Sequence, residues 1–166
     1  MVYTILIIYY MFHRFNLIGK LFAINRVILW VMTKKINFLL ADDDGDDREM
    51  FEEAFKKISP LGVLNIFTDG KKAVDYLSNC PDEELPCGFI LDYNMPHMNG
   101  PQVLDWLCNQ TRMIGINKFI WSTDSRKDYV DGCLGKGAIE YFVKPNTIDG
   151  LSAIVKKIVD YCDTVC

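Results

Sequence analysis

Carboxylates, a hydroxyl group and an amine follow short apolar runs at four places in the sequence. The acidic triplet 42–44 comes directly after the first run, and Asp92 follows the third. Ser122 stands at the end of the fourth run, and Lys144 follows the fifth. Ionised carboxylates held close together repel one another, and burial makes their charged forms costlier still. A hard divalent cation relieves this repulsion, and Mg²⁺ binds a few carboxylate oxygens while keeping several waters.

The chemistry that such a set of groups favours is phosphoryl transfer. An aspartate beside Mg²⁺ can act as a nucleophile toward phosphorus and form an aspartyl phosphate. The hydroxyl and the ammonium would then hold the phosphoryl oxygens, whose negative charge develops in the transition state. A purely structural alternative is that residues 42–47 form only the acidic N-terminus of the first helix. That alternative leaves Asp92, Ser122 and Lys144 without a role.

Five apolar runs that alternate with amphipathic stretches predict the fold that positions these residues. Several runs lack polar alternation, as is typical of strands buried on both faces, and five β-then-α units indicate a parallel sheet between helices. The carboxyl ends of such strands meet in one crevice. We expect Asp46 and Thr147 to be helix N-caps and Gly137 to end the fourth helix. The predicted strands are 36–41, 63–67, 88–91, 118–122 and 139–143, and the predicted helices lie near 46–58, 70–79, 100–112, 125–136 and 147–163.

Five motifs around these residues resemble those of response-regulator receiver domains, the phospho-acceptor modules of two-component signalling. The resemblance covers about residues 34–163. It implies an α/β fold of the flavodoxin-like, doubly wound type, with a five-stranded parallel sheet in the order 2-1-3-4-5 and helices on both faces. The motifs are L-L-A-D-D-D at 39–44, I-L-D-Y-N-M-P-H-M-N-G at 90–100, F-I-W-S-T at 119–123, G-A at 137–138 and Y-F-V-K-P at 141–145.

By this resemblance, Asp92 is the phospho-acceptor and one ligand of a bound Mg²⁺. Asp43 would bind the ion directly and Asp42 chiefly through water, with the backbone carbonyl of Asn94 completing the protein ligands. Asn94 and Asp124 stand two positions past the acceptor and two past the hydroxyl residue. Both are compact and polar, so we expect them to orient the water that hydrolyses the aspartyl phosphate.

The resemblance also assigns the groups that would bind the phosphoryl group and respond to it. Ser122 would hydrogen-bond a phosphoryl oxygen, with the neighbouring Thr123 as the alternative hydroxyl, and Lys144 would pair with another oxygen. Ser122 and Tyr141 occupy the positions of the family's switch residues, and the alternative for Tyr141 is a plain half-buried strand aromatic. The Lys144–Pro145 peptide is expected to be cis.

Charge, cysteine content and the resemblance together indicate the partners. The formal net charge of -4 disfavours direct nucleic-acid binding, because neutralising phosphates needs a basic surface. Six scattered cysteines without a C-x-x-C pair fit a cytoplasmic protein rather than a zinc site or a disulfide framework. The resemblance implies a sensor histidine kinase or a phosphotransfer protein as phosphodonor. It further implies a downstream protein that binds the face of the fourth helix, fifth strand and fifth helix.

Three classes of function stay open at this stage. The resemblance favours a signalling protein that is not an enzyme and catalyses only its own phosphorylation and dephosphorylation. A receiver-like binding module that is never phosphorylated is the first alternative. A phosphatase of the haloacid dehalogenase type is the second, because residues 42–45 fit its D-x-D-G motif. However, Asp46 stands where that family has Thr or Ser, and Asp92 would be idle.

Residues 1–31 are apolar almost throughout and form the first of two predicted segments. They carry three basic residues and no acidic one, which leaves the rest of the chain with a net charge of -7. The longest uncharged run, 1–12, is shorter than the roughly 20 apolar residues of a membrane-spanning helix. The composition is typical of translated AT-rich DNA, so we expect a misassigned start before a stand-alone receiver domain at 32–166. A membrane anchor and a partner-binding segment are the alternatives, and we expect membrane contact only if the segment is real.

Overall fold

The computed structural model of the chain describes residues 36–163. The predictions made for residues 1–31 therefore lie outside the described residues, as does the predicted boundary at residue 32. Within 36–163, none of the helices combines the length and the apolar character needed to cross a membrane.

Five strands and five helices alternate along the described residues. The strands are β1 (Asn37–Ala41), β2 (Val63–Phe67), β3 (Gly88–Asp92), β4 (Asn117–Ser122) and β5 (Glu140–Val143). The helices are α1 (Gly45–Ile58), α2 (Gly70–Asn79), α3 (Gly100–Cys108), α4 (Lys127–Gly135) and α5 (Ile148–Asp163). The strands form one parallel sheet in the order β2-β1-β3-β4-β5. The predicted flavodoxin-like, doubly wound fold is therefore confirmed.

Alternating strand residues supply two hydrophobic cores, one on each face of the sheet. Phe38 and Leu40 of β1 pack in the core formed with α1 and α5. Leu39 and Ala41 belong to the core that contains residues of α2, α3 and α4. All four side chains are fully buried, and so is the whole of β3. Burial on both faces explains why these strands lack polar alternation in the sequence.

Asp44, rather than the predicted Asp46, is the N-cap of α1. Its carboxylate accepts hydrogen bonds from the backbone N–H groups of Asp46 and Asp47 at 2.8 and 3.3 Å. The helix therefore begins at Gly45. Any acid in this run could cap a helix, but the extended backbone of Asp44 (φ -79°, ψ 125°) places its side chain before the first turn.

The other helix boundaries lie within two residues of the predictions except at the end of α3. Gly137 has a φ of 88°, and the N–H groups of Gly137 and Ala138 donate to carbonyls of the last turn of α4 at 3.1 Å. This pair of bonds is the Schellman ending that a left-handed glycine permits. Thr147 Oγ1 accepts a first-turn backbone N–H of α5 at 3.1 Å. Helix α3 ends at Cys108 instead of 112, because residues 111–113 form a separate 3₁₀ turn.

Gly100 allows the N-terminus of α3 to approach the carboxyl end of β3. A Cβ atom at this position would lie 2.4 Å from the carbonyl oxygen of Asp92. The Gly100 N–H donates to the carbonyl of Tyr93 at 3.2 Å. A larger residue would push the acceptor strand and the helix apart, so this glycine helps to position Asp92.

Candidate functional site

Three carboxylates meet at the carboxyl edge of the sheet. Asp42 follows β1 and Asp92 ends β3, and these two strands are neighbours in the sheet. One oxygen from each of Asp42, Asp43 and Asp92 can be chosen so that all lie within 4.8 Å of one another. Asp42 and Asp92 are buried, whereas Asp43 is exposed. The cluster is therefore fixed in the protein on one side and open to solvent on the other.

Burial dominates the electrostatics of the two inner carboxylates. It raises the pKa of Asp92 to about 6, although the neighbouring Lys144 favours the ionised form. Burial also raises the pKa of Asp42, again against the effect of Lys144. A hard divalent cation would offset the same penalty, and carboxylate oxygens are the ligands that Mg²⁺ and Mn²⁺ prefer. The three acids therefore fit a cation of this type.

Lys144 is surrounded by three carboxylates. Its Nζ lies 2.8 Å from Asp42 Oδ2, 2.8 Å from Asp47 Oδ2 and 2.9 Å from Asp92 Oδ1. An ammonium has three N–H donors, so each of them has a carboxylate partner. Burial alone would lower the pKa of Lys144, but the bonds to these carboxylates outweigh it and raise the pKa.

Backbone and indole donors hold the buried carboxylates in place. Asp42 Oδ1 accepts the backbone N–H of Asp44 at 2.9 Å, and Asp42 Oδ2 accepts the indole N–H of Trp121 at 3.0 Å. Asp92 Oδ2 accepts the backbone N–H of Asn94 at 2.7 Å. When the bonds from Lys144 are included, each of the four carboxylate oxygens of Asp42 and Asp92 accepts at least one hydrogen bond. The two carboxylates are held in one orientation before any ligand binds.

Ser122 and Tyr141 both bond the backbone of Asp124. Ser122 is buried, and its Oγ accepts the backbone N–H of Asp124 at 3.1 Å. Tyr141 is half-buried, and its hydroxyl donates to the carbonyl of Asp124 at 2.6 Å. The Asp124 carboxylate pairs with Arg126 at 2.9 Å. Thr123, the alternative hydroxyl, is exposed.

The expectation of a cis peptide between Lys144 and Pro145 was wrong. None of the peptide bonds in residues 36–163 is cis. The Lys144 N–H donates to the carbonyl of Ser122 at 2.7 Å and continues the pairing of β5 with β4. This pairing directs the lysine toward the acidic cluster with the trans bond that most X–Pro peptides adopt.

Two residues at this site were not predicted from the sequence. Asp47 binds Lys144, but in the sequence it is one of six acids near the start of α1. Trp121 lies in β4 and donates its indole N–H to Asp42. The sequence did offer a sign of this bond, because the N–H of a tryptophan in a buried strand needs an acceptor. A cavity of about 370 Å³ lies beside Asp47 and Trp121. Its wall includes Asp47, Met50, Trp121, Lys144, Pro145 and Ile148.

The arrangement does not favour the phosphatase alternative. Within the D-x-D-G stretch, the Asp44 carboxylate accepts the backbone N–H groups of Asp46 and Asp47 and serves as the N-cap of α1. Asp92, which that alternative leaves idle, lies instead within 2.9 Å of the Lys144 ammonium. The geometry thus combines a buried carboxylate with a cation site and a fixed ammonium.

Two known proteins are similar in sequence to most of this chain. The probable methanogenesis regulatory protein FilR2 of Methanothrix harundinacea is 26% identical over 125 residues, which are 74% of this chain and 81% of that protein. The two-component response regulator ORR5 of Oryza sativa subsp. japonica is 26% identical over 120 residues, or 72% of this chain and 86% of that protein.

Solved structures share the fold. The phosphorylated cyanobacterial phytochrome response regulator RcpA matches with a TM-score of 0.71 and 22% identity, over 80% of this chain and 97% of that one. The Mn²⁺-bound form of the response regulator Rcp1 matches with a TM-score of 0.68 and 24% identity, over 78% and 96% of the two chains. Residues 38–156 match the response regulator receiver domain family itself. The chain therefore belongs to the response regulator receiver domains, the signalling modules of two-component systems.

Proposed function

We propose that this receiver domain accepts a phosphoryl group on Asp92 in a Mg²⁺-dependent reaction and signals by phosphorylation-dependent protein binding. The single observation that carries the proposal is the surroundings of Asp92. Its buried carboxylate lies beside the acids Asp42 and Asp43 and 2.9 Å from the ammonium of Lys144. Receiver domains interact with histidine kinases or phosphotransfer proteins, so the phosphodonor we propose is a phosphohistidine on such a partner.

In the proposed reaction, a carboxylate oxygen of Asp92 attacks phosphorus. The new O–P bond forms as the N–P bond of the phosphohistidine breaks, and the imidazole leaves with the electron pair and takes up a proton. A pKa of about 6 leaves most of the Asp92 carboxylate ionised at neutral pH, as a nucleophile must be. The backbone N–H of Asn94 orients this carboxylate at 2.7 Å.

Positive charge and hydrogen bonds would stabilise the transferring group. Lys144 would pair with one phosphoryl oxygen, and the hydroxyl of Ser122 would donate to another. Mg²⁺ would supply further positive charge to the phosphoryl oxygens when held by Asp42, Asp43, Asp92 and the backbone carbonyl of Asn94. Positioning and electrostatic stabilisation of this kind account for most of the catalysis in phosphoryl transfer.

Asp124 supports the proposed switch, because it connects the two residues that would respond to phosphorylation. Its backbone N–H donates to Ser122 and its carbonyl accepts from Tyr141. If Ser122 turned toward a phosphoryl group, the bond to Asp124 would break and the segment that holds Tyr141 would shift. We propose that this shift changes the α4–β5–α5 face and its affinity for a downstream protein. The side chains of Asn94 and Asp124 would orient the hydrolytic water that ends the signal.

Incubation of the protein with acetyl phosphate and Mg²⁺, followed by measurement of the intact mass, tests the proposal. We expect the wild type to gain one phosphoryl group as acetate leaves. Asp92→Asn should gain none, because an amide is not a nucleophile toward phosphorus. Asp46→Asn is the matched control, since it removes an exposed acid outside the cluster and should keep the gain. An undiminished gain in Asp92→Asn, or none in the wild type, would refute the assignment.

A further inference from the structure

We propose that Asp47 is a positioning residue that holds the Lys144 ammonium and thereby raises the affinity of the acidic cluster for Mg²⁺. The inference rests on the proposed function, because it takes that cluster to be a Mg²⁺ site. Asp47 lies in the first turn of α1, and its Oδ2 lies 2.8 Å from Nζ of Lys144. The side chains of the pair are 22% and 9% exposed, so water screens this ion pair less than one on the surface.

The three carboxylates around Lys144 are not equivalent. Asp42 and Asp92 belong, with Asp43, to the group whose oxygens converge closely enough to hold a cation. Asp47 does not belong to this group, and among residues 36–163 its carboxylate bonds only to the ammonium. Lys144 therefore shares two of its acceptors with the proposed ion and has a third that the ion does not use.

This difference sets up a competition between two positive charges. The ammonium and a bound Mg²⁺ would both draw on the oxygens of Asp42 and Asp92. Without Asp47, the ammonium would depend on those two carboxylates alone and would oppose cation binding more strongly. With Asp47 present, Lys144 keeps a charged partner when the other two acids serve the ion. Groups that orient the neighbours of a metal site typically change metal affinity by 10–100-fold.

Titration of the full chain with MgCl₂ in a calorimeter tests the inference, with Asp46→Asn as the matched control. Asp46 lies in the same turn of α1, carries the same charge and is exposed, and its carboxylate forms no hydrogen bond or ion pair within residues 36–163. We expect Asp47→Asn to raise the dissociation constant for Mg²⁺ roughly tenfold. The control should raise it by less than about threefold, because an exposed charge is screened.

A double-mutant cycle separates positioning from simple loss of charge. If Asp47 acts through the ammonium, Asp47→Asn should no longer weaken Mg²⁺ binding in a Lys144→Met background. Thermal melting checks that each variant is folded, and Lys144→Gln replaces Lys144→Met if the latter is not. The inference is overturned if Asp47→Asn matches Asp46→Asn, if its effect persists without the lysine, or if the wild type binds no Mg²⁺ at tens of millimolar.

A failure of the proposed role of Asp47 can be distinguished from a failure of the proposed function. The calorimetric titration needs no phosphodonor, so it measures the cluster and Lys144 directly. If the wild type fails to gain a phosphoryl group from acetyl phosphate while the titrations show the expected pattern, the phospho-acceptor role of Asp92 is wrong and the role of Asp47 stands.

Discussion

At the level of single residues, the buried carboxylate of Asp92 makes the stability of the folded protein depend on pH. Burial raises its pKa from an ordinary 3.8 to about 6 in the folded protein. Between these values the folded state binds more protons than the unfolded state. The free energy of unfolding should therefore fall as the pH rises from about 4 to about 6, and this contribution stays lost above pH 6.

We predict that Asp92→Asn stabilises the metal-free protein at pH 8 and has little effect at pH 4. The amide fits the same space but carries no charge to bury, so the expected gain at pH 8 is about 2 kcal/mol. Urea unfolding in EDTA at the two pH values measures it. Asp75→Asn, at an exposed position of α2, is the control and should change stability by less than about 1 kcal/mol at both pH values. Equal effects of Asp92→Asn at pH 4 and pH 8 would contradict the prediction.

The sequence indicated most of the individual site residues because each follows a strand at a fixed place in a motif. Asp42, Asp92 and Lys144 are brought together by the order of the strands in the sheet, which the resemblance to receiver domains implies. Asp47 depends instead on how α1 is rotated against β5, and six acids in one run offer no signal for that rotation. Trp121 shows a further limit, since its ring packs in the core while its N–H serves the site.

At the level of elements, replacement by alanine should have opposite effects at a glycine inside α4 and at the glycine just after its end. Gly132 lies inside the helix, and a Cβ atom there would meet nothing within 4 Å. Gly132→Ala should therefore stabilise the protein by about 0.5–1 kcal/mol through helix propensity. Gly137 has a φ of 88°, and its Cβ would lie 3.2 Å from Cys108 Sγ. Gly137→Ala should cost about 1–2 kcal/mol.

Urea unfolding of the two variants tests this pair of predictions in one experiment. Each variant is a control for the other, because both make the same substitution at the same helix. If both substitutions change stability in the same direction, the proposed role of Gly137 in the Schellman ending is wrong.

Tyr141 connects β5 to the loop that follows β4, and we predict that it transmits the proposed switch. Its hydroxyl bonds the carbonyl of Asp124, and its ring lies 6.4 Å from that of Tyr93, the residue after the acceptor. Tyr141→Ala should leave phosphorylation by acetyl phosphate intact. The affinity of the α4–β5–α5 face for a partner, or for a second copy of the chain, should then no longer depend on phosphorylation.

Analytical ultracentrifugation of the protein with and without acetyl phosphate measures this coupling for self-association. Tyr76→Ala is a suitable control, because Tyr76 is a tyrosine of α2 that packs against Phe67 and does not belong to the α4–β5–α5 face. If the change on phosphorylation survives in Tyr141→Ala, the ring of Tyr141 only fills space.

The element boundaries that the sequence misplaced are ones that no single residue type determines. Gly137 ends α4 as expected, since a positive φ favours glycine. The start of α1 was misplaced because several acids compete for the cap, and α3 was predicted too long because a 3₁₀ turn has nearly the same apolar spacing as an α-helix.

At the scale of the whole molecule, we propose that residues 32–166 suffice for folding and phosphorylation. All five strands and both hydrophobic cores lie within residues 36–163. Every proposed site residue lies between Asp42 and Lys144, and the family match begins at residue 38. A polypeptide that starts at Met32 therefore keeps every contact of the fold and the site that lies within residues 36–163.

The predicted result is a melting temperature within about 2 °C of the full chain, since no described contact is lost and about 1 kcal/mol would shift it by 2–4 °C or more. Phosphorylation of Asp92 by acetyl phosphate should proceed at the same rate in both forms, because the groups around Asp92 are unchanged.

Removing residues 1–31 also removes three positive charges and no negative ones. The shorter form should therefore be the more acidic and less prone to self-association at low salt, because like charge keeps proteins apart. Thermal melts, intact-mass kinetics and light scattering on both forms measure these three properties. Aggregation or loss of phosphorylation in the shorter form alone would show that residues 1–31 belong to the receiver domain.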